Sequence, residues 1–165
     1  MPRPTGRVTI GVLVLLAAGV ATACDSSGPT WPSDPREVDF HPDLGVELDS
    51  MVRTASGLYF QDLDVGSDAP AAPGDTVAIR YRGWLPDATV FAETAAGEVT
   101  EFVLGLGRVI PGWDEGVQGM REQGSRLLVL PPDLAYGVQG LPDRVPPETV
   151  VVFRMQLVEV RRSGS

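Results

Sequence analysis

Apolar and polar side chains alternate along TVVVFRMQLVEV (residues 149–160), with Val151, Phe153, Met155 and Leu157 on one side and Arg154 and Gln156 on the other. A strand turns successive side chains to opposite faces, whereas a helix would scatter this pattern around its girth. The same period of two recurs in DTVAIRYRGWL (75–85), where Val77, Ile79 and Tyr81 oppose Ala78, Arg80 and Arg82. GLYFQDLDVG (57–66), EFVLGLG (101–107) and SRLLVLP (125–131) read the same way. One-sided alternation predicts an antiparallel sheet with one face buried and the other wet.

One segment breaks the pattern. Around VIPGWDEGV (109–117), Ile110, Trp113, Val117 and Met120 recur at helical steps and make an apolar stripe. Pro111 suits a first helical turn, and Asp114 and Glu115 sit near the positive end of the helix dipole. Gly116 and Gly119 each cost about 1 kcal/mol relative to alanine. Either packing holds this helix, or its glycines allow a close approach. The expected fold class is therefore α+β, with one short helix laid across a curved antiparallel sheet and Trp113 at the seam. A loop of 18 residues, PPDLAYGVQGLPDRVPPE (131–148), has five prolines and two glycines, with Tyr136 in its middle. Loops this long in a compact domain usually carry function, and an aromatic in polar surroundings has no core duty to explain it.

The ends of the chain read differently. Arg3 and Arg7 precede an uncharged stretch of 16 residues, Val8–Ala23, shorter than the ~20 that span a bilayer. Residues 1–23 are expected to be a signal peptide. It closes on ATAC (21–24), and Cys24 is the single cysteine. This resembles the bacterial lipobox, in which cleavage exposes a lipid-bearing cysteine; Ala21 stands where that pattern more often has leucine. The other reading is an ordinary cleaved signal that leaves a free thiol. Residues 24–49, rich in Pro, Asp and Ser, are expected to be a flexible linker to a domain at 50–162. His41, the one histidine, lies there and is given no role. Loss of residues 1–23 leaves 11 arginines against 22 acids, a formal charge of −11. That balance excludes nucleic acid as a partner and leaves a lipid as the means of holding a membrane. The expected location is the outer face of a bacterial cell membrane.

The order YRGWL…VF…FVLGLGRVIPGWDEGVQGM…PPDLAYG…PPETVVVF resembles the FKBP-type peptidyl-prolyl cis-trans isomerases, from about Ser50 to Arg161. The resemblance implies a five- to six-stranded antiparallel sheet wrapped around one short helix. It also implies a proline pocket with Tyr81, Phe91, Tyr136 and Phe153 as walls and Trp113 as floor, these five being the catalytic set. Val109, Ile110 and Val145 would bind substrate, with the Ile110 N–H and the Tyr136 hydroxyl as donors. Taken alone, Tyr81 and Phe153 would read as plain core; the combined motif makes them pocket residues.

Such chemistry needs no cofactor and no metal. One linker histidine and one lipobox cysteine leave nothing for a triad or a zinc site. The implied partners are proline-containing polypeptides, and the expected state is a monomer. Two departures stand out: Ala92 replaces the aspartate that usually follows the phenylalanine of this motif, and Thr100 replaces an aromatic wall. The first implies weaker macrolide binding and lower activity, the second a cavity smaller and more polar on one side. Leu141 holds a rim position that varies in the family. Glu93 neighbours Ala92 but points to the other strand face, and Glu93 with Glu101 reads as solvated strand ends. Two functions stay open: an isomerase that helps exported proteins fold, and a proline-binding, chaperone-like module with slow turnover.

Overall fold

A computed structural model describes residues 31–162; the expected signal peptide and Cys24 lie outside the described residues. Among the described residues seven strands form one sheet: β1 Val52–Arg53, β2 Tyr59–Asp64, β3 Thr76–Trp84, β4 Val90–Glu93, β5 Thr100–Val103, β6 Ser125–Leu130 and β7 Val151–Arg161. The one α-helix among them, α1, runs Pro111–Gly116. The order is β1-β2-β6-β7-β3-β4, with β5 also paired to β3, and the pairings are antiparallel. The count exceeds the expected five to six because a two-residue β1 closes one edge and β4 and β5 are separate. They lie end to end along β3: β5 opposite Thr76–Ile79, β4 opposite Arg82–Trp84.

The alternating residues behave as their period requires. Val77, Ile79, Phe153, Met155 and Leu157 are fully buried, and Trp113, Val117 and Met120 pack over them. Only part of that apolar stripe is helical. The helix ends at Gly116, and Gly119, at φ 78°, turns the chain so that Met120 reaches the core from beyond it. Gly116 and Gly112 have a different duty. A Cβ on Gly116 would lie 2.7 Å from Leu128 Cδ1, and one on Gly112 would lie 2.1 Å from Leu130 Cδ2. Close approach to β6 explains these glycines.

Arg126 fastens the far end of the helix. Its side chain, 7% exposed, pairs with Asp62 at 2.6 Å and donates to the carbonyls of Gly116 and Gln118 at 2.9 and 3.1 Å. A cation there satisfies carbonyls that the helix leaves unpaired and complements its dipole. The guanidinium also lies over Phe60, 4.4 Å from the ring centre.

The other sheet face is not wholly wet, and the expected linker is the reason. Residues 31–50 hold 3-10 turns at Pro35–Glu37, Pro42–Leu44 and Leu48–Ser50. Val38 and Leu44 are buried with Met51, Tyr59, Leu127, Val129 and Val152 in a second cluster. This part of the expected flexible linker belongs to the folded unit, because its few apolar residues cover the back of β2, β6 and β7. The sequence carried a sign of this in LLVL and VVVF, runs apolar on both faces that need cover on both sides. His41 caps the second turn, its Nδ1 accepting from the Asp43 N–H at 3.3 Å.

Candidate functional site

Trp113 enters the core at the start of α1, where Pro111 presets the backbone and the Trp113 N–H donates to the Ile110 carbonyl at 2.9 Å. Its ring meets Tyr81 of β3 edge-on at 4.5 Å between centres and Phe153 of β7 at 5.3 Å. Phe91 of β4 bridges outward, 5.4 Å from Phe153 and 5.8 Å from Tyr136 of the proline-rich loop. The five aromatics thus form one connected cluster. Edge-to-face contacts of this kind contribute about 0.5–1.5 kcal/mol each beyond area burial and fix ring orientation. Tyr81 and Tyr136 are half-buried and form the open side, whereas Phe153 has no exposure at all. The structure therefore places Phe153 behind the wall, supporting Trp113, Tyr81 and Phe91, because its strand lies at the centre of the sheet.

Val109 and Ile110 are partly buried against the same cluster, and Val145 is buried in it. The Ile110 N–H donates to no group among the described residues, which leaves a free donor beside the rings. Among the described residues the buried Trp113 indole N–H has no acceptor. Burial pushes the Tyr136 phenol above its ordinary value of 10.0; nearby Tyr81 adds to the rise and Arg144 opposes it. Its hydroxyl is therefore a protonated donor throughout the neutral range.

Several positioning groups escaped sequence reasoning. Phe102 of β5, paired opposite Val77, lies 6.3 Å from Trp113; the strand period could have placed it on the inward face but not given its partner. Thr94 holds Tyr81 by two bonds: its Oγ1 accepts from the Tyr81 N–H at 3.1 Å, and its own N–H donates to the Tyr81 carbonyl at 3.0 Å. No sequence signal marks Thr94, because the contact depends on the β3–β4 register, in which Arg82 faces Glu93 and Tyr81 therefore faces Thr94. Gly83 lets two rings reach β3, since a Cβ there would lie 2.6 Å from Phe153 and 2.9 Å from Phe91. Asp114 ties down the loop before the helix, accepting from the Gly105 and Gly107 N–H groups at 2.9 and 2.7 Å. Glu115 accepts from the Ser56 hydroxyl at 2.7 Å.

The remaining named residues fall around the rim. Ala92 is half-buried against the cluster, while Glu93 turns away to pair with Arg82 at 2.6 Å. Glu101 pairs with Arg161, so both acids are occupied on the surface. Thr100 is half-buried opposite Ile79. Leu141 and Val145 exchange reciprocal backbone bonds of 2.8 Å and close the tip of the loop. Among the described residues no group of three or more His, Cys, Asp or Glu side chains is arranged to hold a metal ion. What remains is an aromatic surface with the Ile110 N–H and the Tyr136 hydroxyl as donors beside it, suited to a planar, weakly polar group.

The chain matches the model of the FKBP-type peptidyl-prolyl cis-trans isomerases over residues 67–158. It is 45% identical over 95 residues to FK506-binding protein 2 of Yarrowia lipolytica, covering 57% of this chain and 66% of that protein. It is 37% identical over 134 residues to FK506-binding protein 4 of Neurospora crassa, covering 81% of this chain and 27% of that one. The chain thus spans two thirds or less of the length of these relatives. Among solved structures it is similar to FkpA from Escherichia coli, with a TM-score of 0.63 at 34% identity, covering 73% of this chain and 55% of that one. It is similar also to AtFKBP13, with a TM-score of 0.63 at 32% identity, covering 67% of this chain and 98% of that one.

Proposed function

The chain belongs to the FKBP-type peptidyl-prolyl cis-trans isomerase family, and from this premise we propose that it catalyses cis-trans isomerisation of X–Pro bonds in exported proteins. The observation that carries the reading is the connected aromatic cluster around Trp113, with half-buried Tyr81 and Tyr136 on its open side. Rotating a peptide bond breaks amide resonance, at a barrier of about 18–20 kcal/mol. The planar amide is the more charge-separated form and water favours it, so moving it onto a dry aromatic surface favours the twisted form. Tyr81, Phe91 and Trp113 supply that surface, with Phe153 and Phe102 as positioning rings behind it. The Ile110 N–H and the Tyr136 hydroxyl orient a substrate carbonyl, adding fixed electrostatic stabilisation without a proton transfer. X–Pro isomerisation takes tens of seconds uncatalysed, slow enough to limit folding.

The proposal extends to location. The signal-like residues 1–23 and the lipobox-like ATAC support cleavage before Cys24 and tethering, by a lipid on that sulfur, to the outer face of a bacterial membrane. Proline-containing polypeptides are the clients. Macrolide ligands of the family bind with reduced affinity, because Ala92 offers no carboxylate beside Phe91.

A protease-coupled isomerisation assay on residues 25–165 tests the reading, with Tyr136→Phe and Trp113→Leu as paired controls. Acceleration over background that falls in both variants is the expected result. Folded protein that gives no acceleration refutes it. One observation favours the second reading, a proline-binding module: a methyl group at Ala92 where the family pattern has a carboxylate. Activity that appears only on Ala92→Asp would select that reading.

A further inference from the structure

The sheet face turned away from the aromatic cluster is covered only in part. The N-terminal segment seals the row Trp84–Val152–Val129, which belongs to the second apolar cluster. Two residues along, Arg82 of β3 stands directly opposite Arg154 of β7, and beyond them Arg80 stands opposite Gln156. All three arginines are exposed. With Trp84, Ser125 and Gln156 they line an open groove of about 360 Å³. Directly opposed side chains on neighbouring strands have Cβ atoms about 4.5–5.5 Å apart, and like charges placed there repel. The fold leaves that repulsion standing. Glu93 accepts from the Arg82 Nε and Nη2 at 2.7 and 2.6 Å, but from the β4 side. Arg80 gives only its Nε, to the Glu98 carbonyl at 3.3 Å. Arg154 has no hydrogen bond or ion pair among the described residues. Asp64, the one acid in the lining, already accepts from the Ser125 hydroxyl at 2.7 Å. The groove thus gathers three cations against one acid in a chain whose formal charge is −9.

We propose that this groove docks an acidic segment of a partner polypeptide, with one carboxylate seated between the Arg82 and Arg154 guanidiniums. The planar fork of arginine suits a carboxylate in two-point contact, and such charge-assisted bonds are about twice as strong as neutral ones. A carboxylate in that seat turns a repelling pair into a shared clamp. Arg80 sets a second position. An extended segment repeats its side chains on one face every ~6.6 Å, the spacing of Arg80 and Arg82 along β3, so acids at alternate positions match the groove. The partner is a segment and not a bilayer. Charges are screened beyond about 8 Å at physiological salt, so a short segment answers to the three arginines, whereas an anionic bilayer spreads under the whole domain and meets its excess of acids. The site stands apart from the isomerase reading, because groove and aromatic cluster lie on opposite faces of the sheet.

The test uses residues 25–165, which hold the whole described fold, with Arg154→Gln and Arg154→Lys. The probe is a synthetic proline-free peptide with glutamates at alternate positions, beside a control with glutamine at each of them. Titration followed by amide shifts should move Arg80, Arg82, Arg154 and Gln156 and leave the surroundings of Trp113 still. Arg154→Gln should weaken binding roughly tenfold, with Arg154→Lys between it and the parent, and added salt should weaken binding to the parent. Arg154→Gln also removes the facing like charges, so its urea midpoint should equal or exceed the parent's. A lowered midpoint overturns the proposal, because Arg154 would then be bracing the sheet. Equal binding of the glutamine peptide, equal affinity in Arg154→Gln, shifts confined to the aromatic cluster or an absence of binding overturn it as well. So does binding to phosphatidylglycerol vesicles in place of the peptide, which would make this a membrane-facing patch. Tetrapeptide turnover should be the same in parent and variants; its absence from every form counts against the isomerase function, while the peptide titration still decides this site.

Discussion

Replacing Gly112 with alanine sets two effects of known sign against each other. Helix propensity favours alanine by at most about 1 kcal/mol. Against it, the new Cβ would lie 2.1 Å from Leu130 Cδ2, 2.7 Å from Leu130 Cγ and 2.9 Å from the Leu134 carbonyl oxygen. Apolar carbons pack at about 3.5–4.0 Å, so α1 and β6 must part by more than an ångström or Leu130 must leave its rotamer. Leu130 has no exposure and nowhere to turn, and the Leu134 oxygen is backbone. Overpacking of this kind costs about 1–3 kcal/mol, and the rigid surroundings place it at the upper end. The net expectation is a loss of about 2 kcal/mol, or roughly 8 °C in Tm for a domain of this size. Because Leu134 lies two residues before Tyr136, the displacement should also lower kcat/KM. Urea unfolding measures the first effect and tetrapeptide turnover the second. Gly119→Ala is the control: nothing lies within 4 Å of its Cβ, and only its φ of 78° opposes substitution, at about 1 kcal/mol. Gly112→Ala at or above the parent's stability would refute the argument that close seating on β6 requires this glycine.

Three further outcomes follow from the same contacts. Leu44→Ala should cost about 2–4 kcal/mol in urea unfolding because Leu44 is 4% exposed in the second cluster; a free linker residue would cost nothing measurable. Arg126→Met should cost about 3 kcal/mol, since it strands two carbonyls at the end of α1 as well as breaking the Asp62 pair, whereas Asp62→Asn should cost roughly 1 kcal/mol in the same assay. The pH profile of kcat/KM should be flat between about pH 6 and 9, because no step moves a proton there. Tyr136, whose folded-state pKa is raised by burial, contributes stability that is full below its ordinary value of 10.0 and lost as pH rises through the raised value. A neutral-range limb in that profile would contradict the mechanism.

The strand period alone placed Val77, Ile79, Phe153 and Met155 inside, and the Pro111–Trp113 signal placed a helix where one exists. Both patterns are local, and burial of the apolar side admits few alternatives. The aromatic cluster was legible for another reason: Tyr81, Phe91, Trp113 and Tyr136 stand in motifs whose order resembles a known family, and the fold brings these rings into contact. What the sequence could not show depends on distances between segments far apart along the chain. The segment at 31–49 reads as a linker because proline and aspartate dominate it, yet Val38 and Leu44 find an uncovered sheet face. Phe153 reads as a wall but stands behind one, because only the three-dimensional sheet decides which inward ring also meets solvent. Thr94 and Gly83 look unremarkable in sequence, and the strand register and the ring packing that give them their duties exist only once β3, β4 and β7 have paired. Patterning of period two or 3.6 is written residue by residue and so the sequence determined it; close approach between strands and helix is a property of the assembled fold, and the tertiary structure decided it.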